Sequence, residues 1–118
     1  MRKIVINTKF GGFGLSDEGI TMYGELKGLN LKVVDAGKHS FTKYKYYIDG
    51  IEDDDHYFSD DDIDREDPFL IQTVLNLGER AYGQHAILKI VEIPEDVQYW
   101  IHEYDGLEHI AEVHRTWK

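Results

Sequence analysis

The residues most able to do chemistry lie in one acidic run, residues 49–67, which reads DGIEDDDHYFSDDDIDRED. This acidic segment holds 11 of the 23 acidic residues but only one of the 13 basic residues, Arg65. Its net charge of −10 equals that of the whole chain, so the remaining residues are neutral overall. The acidity argues against direct binding of nucleic acid through its phosphates, because that mode requires a basic surface.

A calcium loop is one interpretation of the alternation within the segment. Four acidic residues recur at every second position, as ligands do in an EF-hand: Asp60, Asp62, Asp64 and Glu66. However, Arg65 stands where an EF-hand requires glycine, and Ile71 stands where it requires the bidentate glutamate. The sequence therefore predicts no metal site and no cofactor, and no pair of carboxylates stands out as a catalytic acid and base.

A second interpretation is an interaction face that imitates the phosphates of nucleic acid and occupies a basic groove of a partner protein. Basic grooves attract such a surface strongly at low salt, because opposite charges steer association. The predicted partner-binding residues are eight acids of the segment: Asp53, Asp54, Asp55, Asp60, Asp61, Asp62, Asp64 and Glu66. The third interpretation is a solvated acidic loop that only keeps the protein in solution.

A glycine-rich turn before the first predicted helix has the general form of a phosphate-binding loop. It has Asp17 in place of the third glycine of a dinucleotide fingerprint and lacks the Lys-Ser/Thr pair of a P-loop. Asp17 and Glu18 would also repel a phosphate, and a tight structural turn is the other interpretation. The alternative function is sequestration of a nucleotide second messenger, with these ligand-binding residues: Phe10, Gly11, Gly12, Phe13, Gly14 and Trp100.

The histidines near the C-terminus belong to a predicted hairpin whose two-residue Asp-Gly turn lies at 105–106. This turn places His102 opposite His109, so that the imidazoles would touch, and Glu103 opposite Glu108, which would repel each other. Two histidines are too few for a zinc site. Three interpretations stay open: a pH-sensitive patch, plain packing, and self-association of the aromatic hairpin. A metal-dependent hydrolase has the least support.

The first predicted helix begins after Ser16, a favourable N-cap, and ends near residue 27, before Gly28. It is expected to bury three residues: Ile20, Tyr23 and Leu26. Gly19 and Gly24 each weaken a helix by about 1 kcal/mol relative to alanine. These two glycines therefore indicate either close packing or a marginal helix.

The second predicted helix has the clearest start, with Asp67 as N-cap and Pro68 at the first helical position. Its apolar stripe extends to Ala81, and Gly83 is expected to stop it. Six stretches are predicted strands: residues 3–7, 31–36, 41–48, 86–93, 97–104 and 107–117. Residues 37–40 form a turn, and residues 56–58 are an apolar island that could pair at a sheet edge.

This order of elements predicts a single α+β domain over residues 1–118, with a mostly antiparallel sheet of five or six strands and two helices. The chain has no cysteine, which suits a reducing cytoplasm. Neither a signal peptide nor a run of ~20 apolar residues is visible, so we expect no membrane association.

Several short motifs resemble a group of small acidic uncharacterised proteins encoded by bacteriophages and prophages. The motifs are Phe10-Gly-Gly-Phe13, Leu15-Ser16, Val91-Glu-Ile-Pro94, Glu103-Tyr-Asp-Gly106 and His114-Arg-Thr-Trp117. The resemblance implies a phage product in the cytoplasm of a bacterial host. Such proteins often bind and block a host factor, so the predicted function is a counter-defence inhibitor, anti-CRISPR-like or a nucleic-acid mimic, whose partner is a host protein with a basic surface.

Overall fold

The computed structural model describes residues 1–35 and 44–113, which form two α-helices and seven β-strands. The helices are α1 (Asp17–Lys27) and α2 (Pro68–Leu77). The strands are β1 (Arg2–Asn7), β2 (Leu31–Asp35), β3 (Tyr44–Ile48), β4 (Tyr57–Phe58), β5 (Leu88–Ile93), β6 (Tyr99–Tyr104) and β7 (Leu107–Glu112). All their pairings are antiparallel, which confirms the predicted α+β class.

The described strands divide among three small sheets instead of forming the one sheet that we expected. β1 pairs with β5, β3 lies between β2 and β4, and β6 forms a hairpin with β7. The predicted hairpin is confirmed, with His102 opposite His109 and with positive φ angles at Asp105 and Gly106. The apolar island also pairs as predicted, because β4 adds to the edge of β3. The predicted turn at 37–40 and the strand residues 36, 41–43 and 114–117 lie outside the described residues.

Helix α1 has the predicted boundaries. The Ser16 side chain accepts a hydrogen bond from the Gly19 amide, and Gly28 adopts the left-handed conformation, with φ of 79°. A Cβ on Gly24 would lie 2.7 Å from Leu31 Cδ1, so this glycine permits close packing against β2. The prediction for Leu26 was wrong, because its side chain is 38% exposed at the outer side of the helix.

Helix α2 begins as predicted but ends earlier. The Asp67 carboxylate accepts a hydrogen bond from the Phe69 amide, and Pro68 occupies the first helical position. The α-helix ends at Leu77, because Gly78 has a φ of 56° and a ψ of −128°. The predicted end near Gly83 was therefore wrong: Gly78–Ala81 form a separate 3-10 turn, which still buries Ala81.

The core lies between the two helices and the sheets. Residues of both helices, of β1, β3 and β5, and of the connecting segments form it: Val5, Leu15, Ile20, Tyr23, Tyr46, Ile63, Leu70, Val74, Ala86 and Leu88. β1 is buried on both faces, because α2 and β7 both pack against it. Ile63 belongs to the acidic segment, so one apolar side chain anchors that charged run in the core.

Candidate interaction surface

Residues 53–67 of the acidic segment divide into two parts that differ in what their carboxylates bind. We call residues 63–67 the anchored part and residues 53–62 the outer part. In the anchored part, Asp67 is almost fully buried. Its Oδ2 accepts hydrogen bonds from the Tyr23 hydroxyl at 2.7 Å and from Lys27 Nζ at 2.9 Å. Burial raises the pKa of Asp67, but these hydrogen bonds outweigh burial and place the pKa below its ordinary value.

Glu66, also in the anchored part, ties the acidic segment to the N-terminal strand. Arg2 donates to both of its carboxylate oxygens, at 2.9 and 2.8 Å, and the Tyr99 hydroxyl donates at 2.8 Å. The hydrogen bonds from Arg2 and then Tyr99 lower the pKa of Glu66. Asp64 accepts a hydrogen bond from the Glu66 amide at 2.9 Å. Each carboxylate of the anchored part thus has a structural partner.

Arg65, the one basic residue of the segment, joins the segment to the C-terminal hairpin. Its guanidinium donates to both oxygens of Glu108, at 2.5 and 2.9 Å, and lies 3.6 Å from the centre of the Phe13 ring. Glu108 is buried and also accepts the Asn7 amide at 2.9 Å. Glu103 lies opposite Glu108, as predicted, but the two carboxylates have different partners: Arg65 binds Glu108, and the Gly106 amide donates to Glu103.

Two acids of the outer part also have structural roles. Asp53 caps a 3-10 turn (Asp54–His56) by accepting the His56 amide at 2.9 Å, and its hydrogen bond with the His56 ring lowers its pKa. Asp60 accepts the Leu15 amide at 2.8 Å. Burial raises the pKa of Asp60 above its ordinary value of 3.8, and repulsion from Asp61 adds to the effect.

Four acids of the outer part are exposed, and none of them hydrogen-bonds or ion-pairs through its carboxylate with another described residue: Asp54, Asp55, Asp61 and Asp62. They lie on two 3-10 turns, Asp54–His56 and Asp60–Asp62, on either side of β4. Of the eight predicted partner-binding residues, these four are exposed to solvent and have no carboxylate partner among the described residues. The other four already accept hydrogen bonds within the chain: Asp53, Asp60, Asp64 and Glu66.

The glycine turn contacts the tip of the C-terminal hairpin. The Gly11 amide donates to the Asp105 carbonyl at 2.8 Å, and a Cβ on Gly106 would lie 2.1 Å from the Gly12 nitrogen. The Gly14 carbonyl accepts the Gly83 amide at 2.8 Å. Protein backbone from residues 83 and 105–106 therefore packs against the glycine turn.

The three aromatic residues of the alternative ligand site have different contacts and different exposure to solvent. Phe13 lies beneath the Arg65 guanidinium, whereas Phe10 is 59% exposed and packs edge-on against Tyr104. Trp100 is half exposed and packs edge-on against His102. The turn and Trp100 thus lie at opposite ends of the hairpin strand β6.

The two cross-strand histidines are in contact, with ring centres 4.7 Å apart. His102 Nδ1 is buried and has no hydrogen-bond partner in the described part of the chain. Across residues 1–35 and 44–113, no three histidine or acidic side chains are grouped so that they could hold a metal ion. In the same ranges, no helix is long and apolar enough to cross a membrane.

The comparisons with known proteins add no relative. No family model matches the chain, and no curated protein or solved structure is significantly similar to it.

Proposed function

We propose that this protein is an interaction protein that binds a basic surface of another protein through the outer part of the acidic segment. The observation that carries the proposal is the set of four exposed carboxylates beside β4 that have no partner among the described residues: Asp54, Asp55, Asp61 and Asp62. All the remaining carboxylates of residues 53–67 accept hydrogen bonds from within the chain. These four supply negative charge that no cation within residues 1–35 and 44–113 neutralises.

The backbone that carries these carboxylates is held in place by the chain itself. Asp53 and Ser59 cap the two 3-10 turns, and β4 between them pairs with β3. Ile63 anchors the next turn of chain in the core. A face that is ordered before binding loses less conformational entropy when a partner docks, so this support favours a binding role over a merely solubilising one.

The charge of the molecule favours fast and salt-dependent association. The chain carries a net charge of −10, and its surplus of acids lies in residues 49–67. Such a field attracts a basic partner over about 10 Å at 0.1 M ionic strength. Interactions between exposed charges weaken as salt rises, so binding through this face should do the same.

The resemblance to small phage and prophage proteins directs the choice of partner. On that basis the partner is a factor of the bacterial host, such as a defence nuclease with a basic groove, and binding blocks that groove. Sequestration of a nucleotide second messenger through the glycine turn stays the alternative proposal, and it has less support because the backbone of Asp105 and Gly106 packs against Gly11 and Gly12.

The test is capture of a partner from bacterial host lysate at low and high salt, read by mass spectrometry. One variant replaces the four unpaired aspartates with asparagine: Asp54, Asp55, Asp61 and Asp62. The charge-matched control replaces four exposed acids elsewhere with their amides: Glu79, Glu92, Asp96 and Glu112. We expect one stoichiometric partner that the parent and the control retain at low salt and that the outer-part variant loses. A partner retained equally by both variants would contradict the proposal.

A further inference from the structure

An open cleft of about 390 Å³ lies beside the outer part, between the end of α1 and the segment that carries β4. Its apolar wall is formed by four partly or fully buried residues: Leu29, Ile48, Phe58 and Ile63. Asp62 and Asp64 line the same cleft. An apolar cleft with carboxylates at its rim suits a side chain that has a long hydrocarbon stem and a cationic end.

The two carboxylates at the rim of the cleft, Asp62 and Asp64, form no ion pair with a described residue. Asp62 has no partner among the described residues, and Asp64 uses one oxygen for the Glu66 amide. Lys27 also lines the cleft, but its Nζ is bound to Tyr23 and Asp67, and its charge is balanced by that buried carboxylate. Within residues 1–35 and 44–113, no cationic side chain therefore pairs with either of the two rim carboxylates.

An aromatic ring stands at the same rim. Tyr57 is 44% exposed, and one side of it packs against Tyr47 with ring centres 5.8 Å apart. Guanidinium groups stack on such rings while they hydrogen-bond to carboxylates, and ammonium groups do this less well because they are compact and strongly hydrated.

The chain uses this arrangement twice for its own arginines. Arg65 lies over the Phe13 ring and binds Glu108 through two hydrogen bonds. Arg2 lies 4.9 Å from the centre of the Tyr99 ring and likewise binds Glu66 through two hydrogen bonds. The cleft offers a similar ring and similar carboxylates without an arginine.

We propose that the cleft receives an arginine side chain from the basic surface of the partner. The hydrocarbon stem packs between Leu29 and Ile48, and the guanidinium stacks on Tyr57 and donates to Asp62 and Asp64. This inference rests on the proposed function, since it names the residue type with which a basic partner engages the outer part of the acidic segment.

The probe is a blocked hexa-arginine peptide, compared with hexa-lysine and with neutral hexa-citrulline, in calorimetry at low salt. Asp62→Asn and Asp61→Asn form a matched pair, because both residues are exposed and unpaired neighbours but only Asp62 lines the cleft. We expect Asp62→Asn to weaken hexa-arginine binding by about fivefold, the upper range for one exposed ion pair, and Asp61→Asn to have a clearly smaller effect.

A second measurement uses the unaltered protein, so it does not depend on any variant folding. Methyl NMR signals of Leu29, Ile48 and Ile63 should shift on addition of hexa-arginine, shift less with hexa-lysine and stay unchanged with hexa-citrulline. Equal shifts with hexa-lysine would overturn the choice of arginine.

If hexa-arginine binds without moving these methyl signals, and the two variants weaken it equally, the cleft is not the site, while the proposed acidic interaction face stands. If neither cationic peptide binds at low salt, both the cleft proposal and the proposed function are overturned.

Discussion

The two parts of the acidic segment place the same side-chain type in different surroundings. In the anchored part, every acidic side chain accepts hydrogen bonds from the chain, and Ile63 packs in the core. In the outer part, four of the six acidic side chains accept none from a described residue. The difference lies in the neighbours: α1, β1 and β6 bring Lys27, Arg2 and Tyr99 to the anchored part. Charge density therefore does not reveal which carboxylates are available to a partner.

The largest effect should come from the ion pair that connects the anchored part to the hairpin. Glu108→Ala leaves the Arg65 guanidinium largely buried without its carboxylate, and we expect a loss of about 3 kcal/mol in the free energy of unfolding. Urea denaturation would measure it. Glu112→Ala is the control, because Glu112 lies on the same strand and is exposed. Equal losses in the two variants would show that the pair does not hold the hairpin in place.

The next effect concerns the N-cap of α2. Asp67→Ala removes the cap and leaves the buried Tyr23 hydroxyl without its acceptor and Lys27 without its carboxylate partner. We expect a loss of about 2 kcal/mol in the free energy of unfolding. Asp61→Ala in the outer part should change it by less than about 0.5 kcal/mol, as exposed sites usually do. Similar losses at both positions would remove the distinction between the two parts.

Local signals made much of this fold predictable. Ser16, Asp67-Pro68 and the turn at 105–106 act through contacts within four residues, and each formed the predicted structure. The end of α2 was not predictable from its apolar stripe, because Gly78 breaks the α-helix while Ala81 stays buried beyond it.

Long-range partners could not be predicted from the residues alone. Arg65 and Glu108 are 43 positions apart, and nothing near either residue indicates the other. The lone cation in an acidic run was the available signal that Arg65 has a buried partner. The contact of the glycine turn could not be predicted either, because the hairpin tip that packs against the turn comes from the distant residues 105–106.

A smaller effect concerns how stability depends on pH, and we expect Asp60 and Asp67 to change it in opposite directions. The pKa of Asp60 is raised in the folded state, so its contribution to stability is greatest below the unfolded pKa near 3.8 and is lost as the pH rises through the folded pKa. Asp60→Asn should therefore be more stable than the parent at pH 7, by less than about 1 kcal/mol, and this gain should vanish on acidification.

Asp67 should show the opposite sign. Its pKa is lowered, so its contribution is present above the unfolded pKa and is lost as the pH falls through the folded pKa. The loss in Asp67→Asn should thus shrink at low pH. Thermal melts of both variants and the parent from pH 7 to pH 2 would test this, and parallel curves for the two variants would contradict it.

The smallest effect on stability should come from the four unpaired carboxylates of the outer part. Replacing Asp54, Asp55, Asp61 and Asp62 with asparagine breaks no hydrogen bond within the described chain. We expect the free energy of unfolding to stay within about 0.5 kcal/mol, with any gain from reduced repulsion confined to low salt. Urea denaturation at two salt concentrations would measure it, and a loss of several kcal/mol would mean that these residues are structural.

The division of the acidic segment is tested most directly by a pH titration of its side-chain carboxyl carbons by NMR. We expect the carboxyl groups of Glu66 and Asp67 to titrate below their ordinary pKa values and that of Asp60 to titrate above its ordinary value. If all three titrate at ordinary values, the segment is uniformly solvated, and the distinction between an anchored part and an outer part is wrong.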